Sequence, residues 1–561
     1  MQKIDLKKLV FISIFLTIFI LGTILMLILP VNVKATYNKT VKTIDGETIS
    51  FNVFEPRRVG VNKKAIILGH GIMSNKEMLK GYALELAAAG FVAVPLDFRG
   101  HGQSTGELKR DFLVNDINAI ISYLNARGDV NTSSLGYFGF SMGGGPGIKI
   151  VNQSTDFKCF IGAGTLLPND VRKGNSTHPL NILMILGRYD ELITPEDLKE
   201  GLSDYTGIAS EDLDVNRLYG SFQDGNAAMI YLDDNTNHVL GDWDPDFIRE
   251  ARNFALNSFP EVKPIDENFY ANIRLIILFL QLIGGLGFFG LIIGPTSRLV
   301  LKSRDEKTFE FEPENETLVK FTGKIIGYSL IFGIPGILLF LPIILIVFLA
   351  VAGFITALLF GQAFGILVLL WRIGKKHNKK LIETIKNSFK MPKSDLIRQF
   401  LLGAILAILL TVIIYLSGGL HYIGIVPSIT KIFWVPLYFI FLFIIFTIFG
   451  IIFHGIIQNK FERTIRSLVK SSLIIFGLQF LYMFTILLII ALIMGSFFYF
   501  GSFIPLAIPL FLMNSFISTL IYDKTKSIIP VAFVNTLFFT LLICTISPYQ
   551  SGLSFIFGFF H

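Results

Sequence analysis

From Leu9 to Leu29 the chain is an uninterrupted apolar run of about the length needed to cross a hydrocarbon core, and similar runs return after Phe269. They fall approximately at 271–294, 325–349, 351–371, 397–418, 433–457, 472–498, 503–521 and 529–546, which with the first makes nine candidate spans. Such a chain cannot be wholly soluble, and lipid, which offers no hydrogen-bond partner, makes the helix the expected state of each run. Residues 31 to 268 have instead the mixed polarity of a globular domain. The expected organisation is an N-terminal transmembrane anchor over 1–30, an extramembrane domain over 31–268, and a multi-span membrane domain of about eight helices over 269–561. Val33-Lys34-Ala35 is a passable signal-peptidase site, but signal cores usually run only about 7–15 residues, which favours a retained anchor.

Lys and Arg crowd alternate loops, at 295–324, 372–396, 458–471 and 522–528, whereas the short loops between carry only Lys431. The positive-inside rule then puts the N-terminus in the cytoplasm and residues 31–268 outside. Loop placement also accounts for the net charge of +7 without a nucleic-acid partner. The span interiors read as free of Asp, Glu, Lys and Arg, which argues against an ion-coupled transporter. Gln362, His454, Gln479, Asn514 and Asn535 are left as their polar groups, expected to hydrogen-bond between helices. The two cysteines, Cys159 and Cys544, supply neither a disulfide framework nor a cysteine zinc site.

Within 31–268, short apolar strands alternate with helical patterns, the order expected for a mostly parallel sheet covered by helices on both faces. Candidate strands are Lys64 to Gly69, Phe91 to Leu96, Ser134 to Phe140, Cys159 to Gly164, Asn181 to Leu186 and Ala228 to Leu232. The third runs straight into Gly139-Phe140-Ser141-Met142-Gly143, a G-x-S-x-G elbow whose glycines permit a sharp turn that lifts the serine hydroxyl above the sheet. A serine hydroxyl needs a base to take its proton and a group to orient that base. Asp190, just past the fifth strand, and His238, after the sixth, supply them in the order Ser, Asp, His, with Asp197, Asp212 and Asp224 as competing carboxylates. The backbone N–H groups of Met142 and Ile72 are the expected oxyanion donors. His70 and His101 sit in turns that shape the pocket rather than at the position of the base.

The His70-Gly71 turn, Asp97-Phe98-Arg99-Gly100-His101-Gly102-Gln103-Ser104, the elbow, Gly187 to Pro195 and the terminal histidine occur in the order seen in α/β-hydrolases. The segment Asn62 to Phe259 resembles that superfamily, particularly its small lidless dienelactone hydrolase and serine aminopeptidase-like esterase members. The resemblance implies an α/β-hydrolase fold fused to an all-α polytopic membrane domain, and a carboxylic-ester hydrolase working through an acyl-serine. Peptidase or thioesterase chemistry on the same triad, or a transport or lipid-handling protein with a hydrolase-like domain, are the alternatives. Neither metal nor organic cofactor is required. The expected partners are a small-molecule, lipid or peptide acyl substrate and membrane lipids. Two departures stand out: Gly143 to Gly147 should delay the helix after the serine, and Gly201 to Asn226, between acid and base, is longer than a simple helix connection needs, while Asn169 to Leu180 is too short for a lid and should leave the pocket open on that side.

Overall fold

The computed structural model describes residues 6–57, 60–301, 316–376, 378, 380, 383, 385–386 and 389–554. Residues 302–315 of the charged loop at 295–324, including Asn315, lie outside the described residues, as does part of 372–396.

Eight strands form one sheet in the order β1-β2-β4-β3-β5-β6-β7-β8. They are β1 (Val33–Lys42), β2 (Thr48–Pro56), β3 (Lys63–Gly69), β4 (Val92–Leu96), β5 (Val130–Phe140), β6 (Phe157–Ala163), β7 (Asn181–Gly187) and β8 (Ala228–Asp233). From β4 through β8 all neighbours pair in parallel, while β1, β2 and β4 pair antiparallel. The parallel strands are buried on both faces and so read as continuous apolar runs. Alternate side chains serve the two faces: Ala65 and Ile67 pack with α3 (Leu113–Arg127), α4 (Gly144–Gln153) and α5 (Pro195–Thr206), and Ile66 and Leu68 with α2 (Lys80–Ala88) and α6 (Pro245–Ser258). β1 and β2 were not expected. β1 is a half-exposed edge strand in which Val33, Ala35 and Tyr37 alternate with polar residues before the register shifts between Thr36 and Lys39, and Asp45-Gly46, with Gly46 at φ +92°, is a hairpin signal.

Among the described residues nine helices are long and apolar enough to cross a membrane, and each coincides with an expected span. They are α1 (Leu6–Ile28), α7 (Ala271–Val300), α8 (Leu318–Ile346), α9 (Ala350–Lys376), α10 (Lys393–Ile414, widening into π-helix to Ile423), α11 (Val435–Phe449, widening likewise to Ile457), α12 (Ile465–Met494), α13 (Phe498–Thr525) and α14 (Ile528–Ile546). The protein is thus a multi-pass membrane protein. Helix α1 lies along α7, where Gly284 leaves room only for the backbone of Phe15 and Phe19, and Gln281 donates to Thr23 Oγ1 (2.8 Å) and to the Leu416 carbonyl (2.9 Å). Gln362 donates to the Leu478 carbonyl at 3.1 Å, and Ser518 and Asn535 pair at 2.9 Å, so these polar groups bind helix to helix.

The span interiors are not free of charge. Arg274 stands in the first turn of α7, buried, and donates to the carbonyls of Met26 (3.0 Å) and Leu29 (2.8 Å) at the end of α1. It completes a helix terminus whose carbonyls would otherwise lack donors. Lys431, expected in an outside loop, is buried too, with its ammonium on the Thr545 carbonyl at 3.0 Å and its pKa drawn down by burial to about 7.

The sheet and the helices are not merely tethered. The carbonyl end of α10 is capped from the sheet segment by Lys80 on Leu420 (3.2 Å), Trp243 on Tyr422 (2.9 Å) and Asn75 on Ile423 (2.5 Å). Beyond α14, Tyr549 accepts from Leu108 at 3.0 Å and donates to Gly100 at 2.6 Å.

Candidate active site

Strand β5 delivers the chain extended to Phe140, and the next residue, Ser141, turns left-handed at φ +48°, followed by a 3-10 turn over Ser141–Gly143 that continues directly into α4. A non-glycine residue held there stores strain, which must be offset by its surroundings. The glycine run does not delay the helix. Gly143 and Gly144 answer to packing, for a Cβ at Gly143 would strike the Gly69 carbonyl and one at Gly144 the Thr165 side chain, whereas Gly145 faces open space. The elbow is thereby pressed between the ends of β3 and β6.

Three expected residues meet there. His238 Nε2 lies 2.9 Å from Ser141 Oγ, and His238 Nδ1 lies 2.7 Å from Asp190 Oδ2. An ionised carboxylate only accepts, so the proton belongs on Nδ1 and Nε2 is free to accept the serine hydroxyl. Asp190 Oδ1 is held by the backbone N–H groups of Leu192 (2.9 Å) and Ile193 (3.1 Å), and both partners of the pair are buried. The competing carboxylates are engaged elsewhere. Asp197 closes a capping box with Thr194 at the start of α5, Asp224 accepts from Ser221 Oγ at 2.7 Å, and Asp212 lies in an exposed turn.

Met142 opens the turn beyond the serine, and Ile72 lies in the loop after β3, both half-buried against the same apolar cluster. That loop runs beside the nucleophile, for a Cβ at Gly71 would stand 3.2 Å from Ser141 Cβ. Lys76 pins it, its backbone N–H and ammonium reaching Asp97 at 2.8 and 2.6 Å. Burial alone would raise the Asp97 carboxyl, yet the ammonium beside it holds it below its usual range. His70 is built into the same turn, accepting from Phe98 N–H at 3.1 Å and facing the Gly71 carbonyl at 2.7 Å, and burial pushes its pKa down to about 4. His101 is buried beside it, Nδ1 on the Arg99 carbonyl at 3.2 Å. Both histidines support the turn and neither reaches the serine side.

Glu191, Asn237, Phe498 and Gly501 also belong to the site, and sequence reasoning missed them. Glu191 accepts from His238 N–H at 3.4 Å and from Asn237 Nδ2 at 3.0 Å, while Asn237 donates to the Gly501 carbonyl of α13 at 3.2 Å. The Phe498 ring packs edge-on against His238, centroids 5.8 Å apart. Helix α13 thus lies directly against the histidine and its loop. Glu191 and Asn237 were legible as neighbours of the triad, but nothing in the sequence tied them to a segment more than 250 residues away. A separate group, Asp233, Asp244 and Asp246, brings three carboxylate oxygens within 4.8 Å of one another, but Asp244 is engaged in capping α6.

Behind His238, Asp242 is buried with Oδ1 unpartnered and Oδ2 accepting from Ser74 at 3.3 Å. Burial pushes its carboxyl up to about 7 from an ordinary 3.8. Between those values the folded protein holds a proton that the unfolded chain releases, so this group costs stability as pH rises from the lower value to the higher. Asp242→Asn removes that cost and keeps an acceptor for Ser74. Its thermal unfolding in detergent is expected to exceed the parent's by on the order of 5 °C at pH 8, with the gap narrowing toward pH 5. A gap equal at both pH values would exclude this cause.

Residues 60–199 match the family described as serine aminopeptidase, S33. An uncharacterized 31.7 kDa protein of Escherichia coli is 28% identical over 134 residues, 23% of this chain and 46% of that protein. An uncharacterized protein of Mycobacterium tuberculosis is 26% identical over 113 residues, 20% of this chain and 40% of that one. The chain thus matches less than half the length of these relatives. Among solved structures, an esterase of Pyrococcus furiosus aligns over 39% of this chain and 91% of its own at 16% identity and TM-score 0.31. A putative dienelactone hydrolase from Klebsiella pneumoniae aligns over 41% and 99% at 13% identity and TM-score 0.31. The parallel sheet, the strand–elbow–helix turn and the family matched over residues 60–199 give residues 31–268 the α/β-hydrolase fold, carried in one chain with a multi-pass helical region.

Proposed function

We propose that this protein is a membrane-bound serine hydrolase that cleaves ester or related acyl bonds through an acyl-serine intermediate. The observation that carries the reading is the unbroken chain of hydrogen bonds from Ser141 through His238 to Asp190, at 2.9 and 2.7 Å. In the first half-reaction Ser141 Oγ bonds to the acyl carbon as His238 Nε2 takes its proton. The tetrahedral oxyanion is met by the N–H groups of Met142 and Ile72, and its collapse expels the leaving group, which takes the proton back from His238. Water then repeats the cycle to free the acid. Asp190 stays ionised and stabilises the imidazolium. Ester, thioester and aminoacyl substrates all satisfy this chemistry, since selectivity lies in the pocket walls. Labelling of the full chain with a serine-reactive phosphonate, followed by a panel of those three substrate classes, tests it. Absence of label under native conditions would remove the proposal.

We also propose that the hydrolase domain lies outside the cytoplasm. The support is the alternation of basic loops together with the helix ends that touch the domain. Those of α10, α13 and α14, and the end of α1 that leads into β1, share one side if every span crosses. Of the four sequons on that side, Asn38 and Asn175 are exposed, whereas Asn131 is half-buried and Asn152 is tied to the Asp170 carbonyl at 3.2 Å. In a glycosylating host, sugar is expected at Asn38 or Asn175 and never at Asn315. A membrane-impermeant thiol reagent on intact cells should modify a cysteine placed at Lys39 and spare one placed at Lys376, native Cys159 and Cys544 being buried. The reverse pattern would put the site in the cytoplasm.

A further inference from the structure

The loops around the histidine turn apolar side chains outward. Tyr189 and Leu192, either side of Asp190, are 61% and 46% exposed, Leu240, just past His238, is 36% exposed, and Leu166 is 55% exposed. Leu166 follows Gly164, where a Cβ would stand 3.1 Å from the His238 ring. Single exposed apolar residues are ordinary, but several gathered around one mouth mark a binding surface.

Helix α13 says what that surface faces. Its first turn is docked on the site through Asn237 and Phe498, and a Cβ at Gly501 would run into the Glu191 carboxylate. The turn before it leaves Ile493 78% and Phe497 47% exposed, at the ends of two helices that read as membrane spans. From His238 the aromatic contacts pass to Phe498, then to Tyr499 at 5.4 Å and on to Phe354 of α9 at 5.8 Å. The exposed apolar side chains of the mouth and of this turn thus stand beside helices that read as membrane spans, with Phe498 buried between them and His238. A polar substrate gains nothing from such a wall, whereas an acyl chain stays out of water along it.

Resting on the acyl-serine reading, we infer that the site takes an ester resident in the bilayer, whose acyl chain enters sideways past the first turn of α13 and lies against Phe498 and Leu240. The test uses the full chain in phosphatidylcholine nanodiscs with 4-methylumbelliferyl acetate and palmitate, turnover being expressed per phosphonate-labelled serine. The palmitate should exceed the acetate in kcat/KM by about tenfold or more, the scale of burying one large apolar group. Phe498→Ala and Leu240→Asp, on different elements, should each lower that ratio by about tenfold. Acetate turned over as well as palmitate, or a ratio unmoved in both variants, would overturn lateral entry while leaving the labelled serine in place. No labelling at all would remove the acyl-serine reading and this inference with it.

Discussion

Ser141→Ala is expected to abolish phosphonate labelling and to lower turnover by on the order of 10⁶-fold, the scale of losing a nucleophile from a triad, with membrane insertion unchanged. The hydroxyl is the attacking atom and its one close partner is His238 Nε2 at 2.9 Å, so its removal leaves the packing of the elbow as it was. The left-handed φ of +48° is as accessible to alanine as to serine. His238→Ala should cost a similar factor at neutral pH, and the double variant little more than either single one, because base and nucleophile act as a unit. Wild-type labelling in Ser141→Ala would remove this serine as the nucleophile, whatever the turnover.

Asp190→Asn should lower turnover by on the order of 10⁴-fold, less than loss of the base. The amide leaves the imidazole in place but no longer reserves its Nδ1 for a proton, so Nε2 is protonated in part and cannot accept from Ser141. Asn can still receive the Leu192 and Ile193 N–H groups through its remaining oxygen, so the loop should hold its shape. Asp212→Asn and Asp224→Asn, remote from His238, should stay within a few-fold of the parent. Steady-state kinetics of the three variants decide the matter, and a larger loss at Asp212 or Asp224 would overturn the assignment of Asp190.

The parts of this protein legible beforehand share a local cause. A parallel strand buried on both faces must be a short apolar run, and a lipid-crossing helix must be a long one, so β3 to β8 and all nine candidate spans could be marked from residue type alone. Ser141, Asp190 and His238 were readable because each stands at a fixed offset from the carboxyl end of such a strand. Edge strand β1 was not marked, because its alternation of Val33, Ala35 and Tyr37 with polar residues is short and is broken by the register shift between Thr36 and Lys39. The glycines from Gly143 to Gly147 misled because low helix propensity is a local quantity, while the carbonyl of Gly69 and the side chain of Thr165, which leave no room at Gly143 and Gly144, stand at the ends of β3 and β6.

By itself, then, the amino-acid order determined the two regimes of the chain, the sheet and elbow, and the identity of the residues that meet at the serine. Only the tertiary structure decided what surrounds them. Arg274 stands in plain view within the 271–294 run, but its partners, the carbonyls of Met26 and Leu29, lie on another helix, 248 and 245 residues earlier in the chain. The capping of α10 by Asn75, Lys80 and Trp243, and the docking of Gly501 and Phe498 on the histidine loop, likewise join segments hundreds of residues apart. Apolar burial and backbone hydrogen bonding within an element leave a periodic record along the sequence. A hydrogen bond or ring contact between distant elements leaves none, because it constrains single residues whose spacing is set by the path of the whole fold.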